Sequence, residues 1–188
     1  MSKCKYPFGR PNLLTDKYLG ISIVAVVDTS GICGKTNNPP RTLLLQRGKN
    51  VANYPGAWAM PAGVIDNRTY RQIGLGMDSA LLQATLELVE ETSLLPEHIE
   101  KLSLIDEYSR ENEEREQTFK VYLSLAETMY PEMVYTNWEN QNEQWIDLSE
   151  VMNNENCLPR LVIPNLIPDI KRLTPSFQEI QVRFDTRH

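Results

Sequence analysis

Glu87, Glu90 and Glu91 stand at i, i+3 and i+4 within Ser79 to Leu95, a stretch of helix-favouring residues. At about 100° per residue the three fall within an arc of about 100°, so one helical face carries three carboxylates. Carboxylates so close repel one another unless a cation lies among them. Hard oxygen donors suit Mg²⁺ or Mn²⁺, ions that keep several waters and bind substrate phosphates. A solvated charged face is the alternative use of the same pattern. Leu81, Ala84 and Leu88 flank the arc on one side and Leu82, Leu86 and Val89 on the other. Two apolar flanks predict a helix wedged into the core on both sides, Leu86 included, with a narrow acidic strip between.

Other elements must position that helix. Gly20 to Asp28 is β-branched and apolar and reads as a strand buried on both faces, ended by the turn Thr29 to Gly31. Ile32 to Arg41 is a loop rich in Gly, Asn and Pro. Arg41 to Arg47 is the next strand, and Ala57 to Ile65 a third extended piece broken by Pro61 and Gly63. Asp78 is the expected N-cap of the helix, and Pro96 ends it. Lys101 to Tyr108 and Thr118 to Ala126 read as strands joined by a charged loop, Ser109 to Gln117. Trp145 to Asp147 is a short strand before Leu148 to Val151, and Pro164 to Leu173 a helix. Strands on both sides of a central helix define an α+β or mixed α/β class, with a sheet packed against helices.

With 188 residues the chain suits one domain with a sizeable core. We divide it into an N-terminal arm (1–17), a central domain (18–155) and a C-terminal extension (156–188) that packs on the domain and is a candidate for homodimer contacts. The net charge of −6 offers no basic field for a nucleic-acid backbone, so duplex nucleic acid is not an expected partner. Residues 87 to 116 alone hold 11 of the 25 acidic residues and 3 basic ones. Cys4, Cys33 and Cys157 are too far apart for a zinc motif and odd in number, which fits free thiols. No apolar stretch approaches the roughly 20 residues that span a bilayer, so no membrane role is expected. With no secretory signal read at the N-terminus, the expected location is cytoplasmic.

From Gly63 through Asp78 to Leu94 the chain resembles the signature of the Nudix hydrolases, in which Gly, five residues, Glu and seven residues precede Arg-Glu-hydrophobic-x-Glu-Glu-x-Gly-hydrophobic. Here the second half reads Leu86-Glu87-Leu88-Val89-Glu90-Glu91-Thr92-Ser93-Leu94, with Asp78 in register for the first Glu. Leu43 to Arg47, Gly56 to Gly63 and Trp145 to Val151 are similar to the strand, the Trp-x-x-Pro-Gly-Gly approach and the late strand of that family. The resemblance covers roughly residues 18 to 151. Leu86 replaces the Arg, Ser93 the Gly and Asp78 the Glu, and 14 residues separate Gly63 from Asp78 where the family has five. Most of this longer spacer, Asn67 to Met77, reads as a surface loop. A Leu cannot donate a hydrogen bond, so weaker orientation of Glu87 is expected.

The resemblance implies an α/β/α sandwich with a mixed central sheet. It also implies Mg²⁺- or Mn²⁺-dependent hydrolysis of a nucleoside diphosphate linked to another moiety. Glu87, Glu90 and Glu91, with a backbone carbonyl near Ala62, are the metal ligands it implies. The general base is open between Glu87, Glu139 and Glu143, with Glu139 favoured slightly. Arg47 is a candidate for a substrate phosphate, or simply ends a strand. Trp58 is a candidate for stacking on a base, or a core residue. A binding or regulatory module that kept the nucleotide pocket and lost turnover is the second function class.

Overall fold

The computed structural model describes residues 20–65, 77–112 and 117–187. The expected arm over 1–17, and all of the expected insertion loop except Met77, lie outside them. The described strands are β1 (Gly20–Asp28), β2 (Arg41–Arg47), β3 (Trp58–Ala59), β4 (Ala62–Ile65), β5 (Ile99–Asn112), β6 (Gln117–Thr128) and β7 (Asn140–Asp147). The described α-helices are α1 (Met77–Thr92), α2 (Leu148–Asn153) and α3 (Leu166–Asp185).

β1 is central because its run Ile21 to Val27 is apolar on both faces, and it is buried almost throughout. It pairs in parallel with β6 from Gly20↔Lys120 to Asp28↔Thr128. Its other edge is shared. β4 pairs antiparallel with Gly20 to Ile23, and β2 pairs antiparallel with Val27 and Asp28. Between those partners Val24 N–H donates to the Pro61 carbonyl at 2.9 Å. β2 diverges from β1 there and pairs onward with β3 and, along its other edge, with β7. One parallel pair among antiparallel ones makes the sheet mixed.

Alternation along β1 and β2 sorts the core into two layers. Val24, Val26, Leu43 and Leu45 face α1 and pack with Ala84, Leu88 and Leu94. Ile23, Ala25, Val27 and Leu44 face the other way and pack with α2 and α3 through Leu148, Val151, Leu166, Ile170, Leu173 and Phe177. The result is an α/β/α sandwich.

Four boundaries differ from the sequence reading. β5 and β6 continue through the expected charged loop to Asn112↔Gln117, since an edge strand can carry solvated charges while its backbone pairs on one side. β7 begins at Asn140 because its polar half pairs with β2 despite lacking an apolar signal. α1 begins at Met77, so Asp78 lies in the first turn, where its charge favours the helix dipole, and is not the N-cap. α3 runs through Pro175 to Asp185. Phe177 and Ile180, both buried on the core-facing side, are worth about 1.5–3 kcal/mol each, against about 3 kcal/mol for an interior proline.

No helix among the described residues is long and apolar enough to cross a membrane. Cys33 and Cys157 are free thiols.

Candidate active site

α1 lies over β1 and β4 with Ser79, Gln83, Glu87 and Glu91 turned inward, all four buried. Only the Ala80, Ala84 and Leu88 flank reaches the apolar core. The opposite flank is a correction to the two-sided wedge: Leu82, Leu86 and Val89 are 39%, 41% and 36% exposed. The helix rests on one side of a single sheet, and no described element covers its far side. The acidic face divides accordingly. Glu87 and Glu91 are 7% and 5% exposed, while Glu90 is turned to solvent.

The first two residues of β4 meet both buried carboxylates. Ala62 N–H donates to Glu91 Oε2 at 3.3 Å. A β-carbon on Gly63 would stand 1.6 Å from Glu87 Oε1, so the carboxylate occupies the space that any side chain there would need. On the helix itself, Gln83 Nε2 donates to the same Oε1 at 2.6 Å.

Burial, reinforced by Glu90 and Glu139, pushes Glu87 up to about 7 against the Gln83 hydrogen bond. Glu91 is pushed up to about 8 by burial, then by Glu87 and Glu139, while the Ala62 amide and Arg47 oppose the shift. Glu139 and Arg47 therefore act electrostatically on the helix carboxylates. Glu139 arrives on the loop before β7, where its N–H is held by Asn137 Oδ1 at 2.8 Å and its carbonyl accepts from Gly48 N–H at 2.6 Å. Arg47 ends β2 on the α1 face of the sheet, with Nε donating to the Asn53 carbonyl at 2.9 Å.

Glu143 is exposed on β7 opposite Leu45, and the partial desolvation of its carboxyl raises it above the usual value. Trp58 pairs with Gln46, whose side of β2 faces α3, and it packs partly buried against the α3-side core. That is the other side of the sheet from Glu87 and Glu91. The main chain around Trp58 is fastened to 161–163, with Trp58 N–H donating to Leu161 and Ile163 N–H donating to Trp58.

The sequence reading missed Gln83, Asn137 and the contact of Gly63 with Glu87. Gln83 was detectable as the i−4 neighbour of Glu87 on a helix. Asn137 accepts locally from Glu139 two residues on, but its bond to the Glu90 carbonyl spans 47 positions and leaves no signal in the sequence.

Among the described residues no three acidic, His or Cys side chains are arranged to cage a metal ion by themselves. One or two carboxylates with open space for water and phosphate oxygens is nevertheless the donor set that suits Mg²⁺. Two buried, mutually repelling carboxylates fit such an ion on charge.

An α/β/α sandwich whose mixed sheet carries a carboxylate-lined helix is a fold found in solved structures. The fold is that of Nudix domains. The NUDIX domain of Shewanella oneidensis NrtR, complexed with ADP ribose, is similar at 14% identity and a TM-score of 0.60, over 94% of this chain and 99% of that one. A C. elegans Ap4A hydrolase is similar at 18% identity and 0.55, over 86% and 98%. A NUDIX hydrolase from Alicyclobacillus acidocaldarius is similar at 13% identity and 0.59, over 86% and 93%. The sequence matches no family model and no curated protein.

Proposed function

We propose that the chain is a divalent-metal-dependent pyrophosphohydrolase acting on a nucleoside diphosphate linked to another moiety. The observation that carries this reading is the placement of Glu87 and Glu91, buried side by side and held against Ala62 and Gly63, with Glu139 and Arg47 acting on them. Glu87 and Glu91, with a carbonyl of the Ala62 segment, would hold Mg²⁺ or Mn²⁺, and Glu90 would join from the helix surface. When bound, the metal neutralises the diphosphate and lowers the pKa of a coordinated water. Arg47 contributes a positive charge beside Glu91 for a phosphate oxygen. Glu139 takes the proton of the attacking water. Water adds across one phosphoanhydride bond: one phosphorus gains the hydroxyl, and the other leaves with the bridging oxygen.

The test is a panel of nucleoside diphosphate derivatives incubated with Mg²⁺ and with Mn²⁺, the products separated by chromatography. A nucleoside monophosphate and the complementary phosphorylated moiety are expected from at least one member. Intact compounds throughout would overturn the enzyme reading. They would favour a nucleotide-binding module, to which the NrtR domain complexed with ADP ribose gives a structural parallel. The exposed side chain of Glu90 favours that second reading, since it leaves fewer carboxylates gathered at the site.

A further inference from the structure

Glu87 is confined from two sides. The main chain at Gly63 touches its carboxylate from β4, and Gln83 reaches it from one helical turn earlier. Gln83 is itself buried, so its side chain has few alternative rotamers. The amide presents its NH₂ end to Glu87, the end that suits the ionised carboxylate, since the carbonyl end would repel that charge. Among the described residues this is the hydrogen bond that the Glu87 side chain receives. Leu86, beside it in sequence, is exposed and has nothing to donate.

We propose that Gln83 is the positioning residue that fixes the Glu87 carboxylate for a divalent cation, an inference that rests on the metal reading above. A primary amide suits the task. It anchors one oxygen and the plane of the carboxylate, leaving Oε2 and the remaining lone pair of Oε1 for the ion. It brings no formal charge, so the full negative charge of Glu87 stays available to the cation, whereas a guanidinium at the same place would compete with the ion. Outer-shell donors of this kind typically change metal affinity by roughly 10- to 100-fold.

The probe is Mn²⁺ alone with the full chain, free ion being counted by electron paramagnetic resonance. Gln83→Met keeps the length of the side chain and removes the donor; it should weaken Mn²⁺ binding by about 10- to 100-fold with a melting temperature close to that of the parent. In a Glu87→Gln background the same substitution should change affinity by less than about twofold, because the two residues act as one unit. In the parent, the Gln83 side-chain amide resonance should move on addition of diamagnetic Mg²⁺, a readout that needs no variant to fold. Parental affinity in folded Gln83→Met, an equal loss in both backgrounds, or an unmoved amide resonance in Mg²⁺-saturated protein would each overturn the inference while the metal reading stood. A parent protein that binds no Mn²⁺ would overturn both together.

Discussion

The side-chain amide of Asn137 donates from Nδ2 to the carbonyl oxygen of Glu90 at 2.5 Å. Its Oδ1 accepts the N–H of Glu139 at 2.8 Å, so one side chain joins the carboxylate helix to the loop that carries Glu139. Tyr135 N–H adds a bond to the Thr92 carbonyl at 3.0 Å. Asn137→Ala removes the link at both ends. Turnover should fall by about tenfold or more as Glu139 loses its register, at a stability cost of about 1–2 kcal/mol. Steady-state rates beside urea midpoints read the two effects, and an unchanged rate would show that the loop keeps its place without Asn137.

Gly63→Ala is expected to damage the site more than the fold. Its β-carbon would stand 1.6 Å from Glu87 Oε1, so the carboxylate must swing away or β4 must shift. A displacement of this kind, about an ångström at a reacting centre, costs on the order of 10² in rate. Mn²⁺ titration should show the same loss without substrate. Parental affinity in the alanine variant would mean that Glu87 does not lie against this strand.

Metal-free protein should lose stability as pH rises. Unfolded glutamates titrate near 4.5, while burial and like charge hold Glu87 near 7 and Glu91 near 8. Between those values the folded state binds more protons than the unfolded state, so stability declines from about pH 4.5 up to about pH 8. The pair contributes a swing on the order of a few kcal/mol. Melting curves in EDTA from pH 5 to pH 8 should fall progressively, and Mg²⁺ should restore most at the alkaline end. A flat EDTA series would indicate that the two carboxylates are not held at elevated pKa.

Leu86→Arg tests the position where the resemblance to the Nudix signature breaks. Because Leu86 is exposed, the change should leave stability within about 0.5 kcal/mol and turnover within about twofold. A large rise in rate would show that Glu87 is still poorly oriented in the parent.

Ser93 closes α1 at φ 61°, with its N–H on Val89 at 3.2 Å and its hydroxyl on the Tyr135 carbonyl at 3.2 Å. A left-handed residue with a β-carbon costs roughly 1–2 kcal/mol, and the hydroxyl bond returns about 1 kcal/mol. Ser93→Gly should therefore change stability by less than about 1 kcal/mol, in the stabilising direction. A clear destabilisation by calorimetry would mean that the bond to Tyr135 matters more than the strain.

Much of the architecture was legible because it rests on local patterns. The apolar run of β1, the break at Pro61, and the i, i+3, i+4 glutamates each mark their element directly, whereas Gly63 continues β4 without a break. What sequence alone hid depends on pairing at a distance. The polar half of β7 is a strand only because β2 lies beside it, and α3 passes Pro175 because Phe177 and Ile180 have a core to enter. Leu82, Leu86 and Val89 read as a second buried flank, since hydrophobicity shows which residues can be buried but not whether a neighbour covers them, and among the described residues no element does. The exposure of Glu90 beside buried Glu87 and Glu91 follows from the same one-sided packing.

The parallel pairing of β1 with β6 joins residues 100 positions apart, from Gly20 with Lys120 to Asp28 with Thr128. During synthesis the most apolar strand of the sheet can find β2 and β4 early, but its other edge must wait for a partner a hundred residues downstream. At about 5–20 residues per second that wait is roughly 5–20 s. Closing so long a loop also slows refolding of the finished chain, because the entropy of closure is spent before the contacts form. The strand that anchors the carboxylate helix is thus the one most exposed to off-pathway association while the chain is being made.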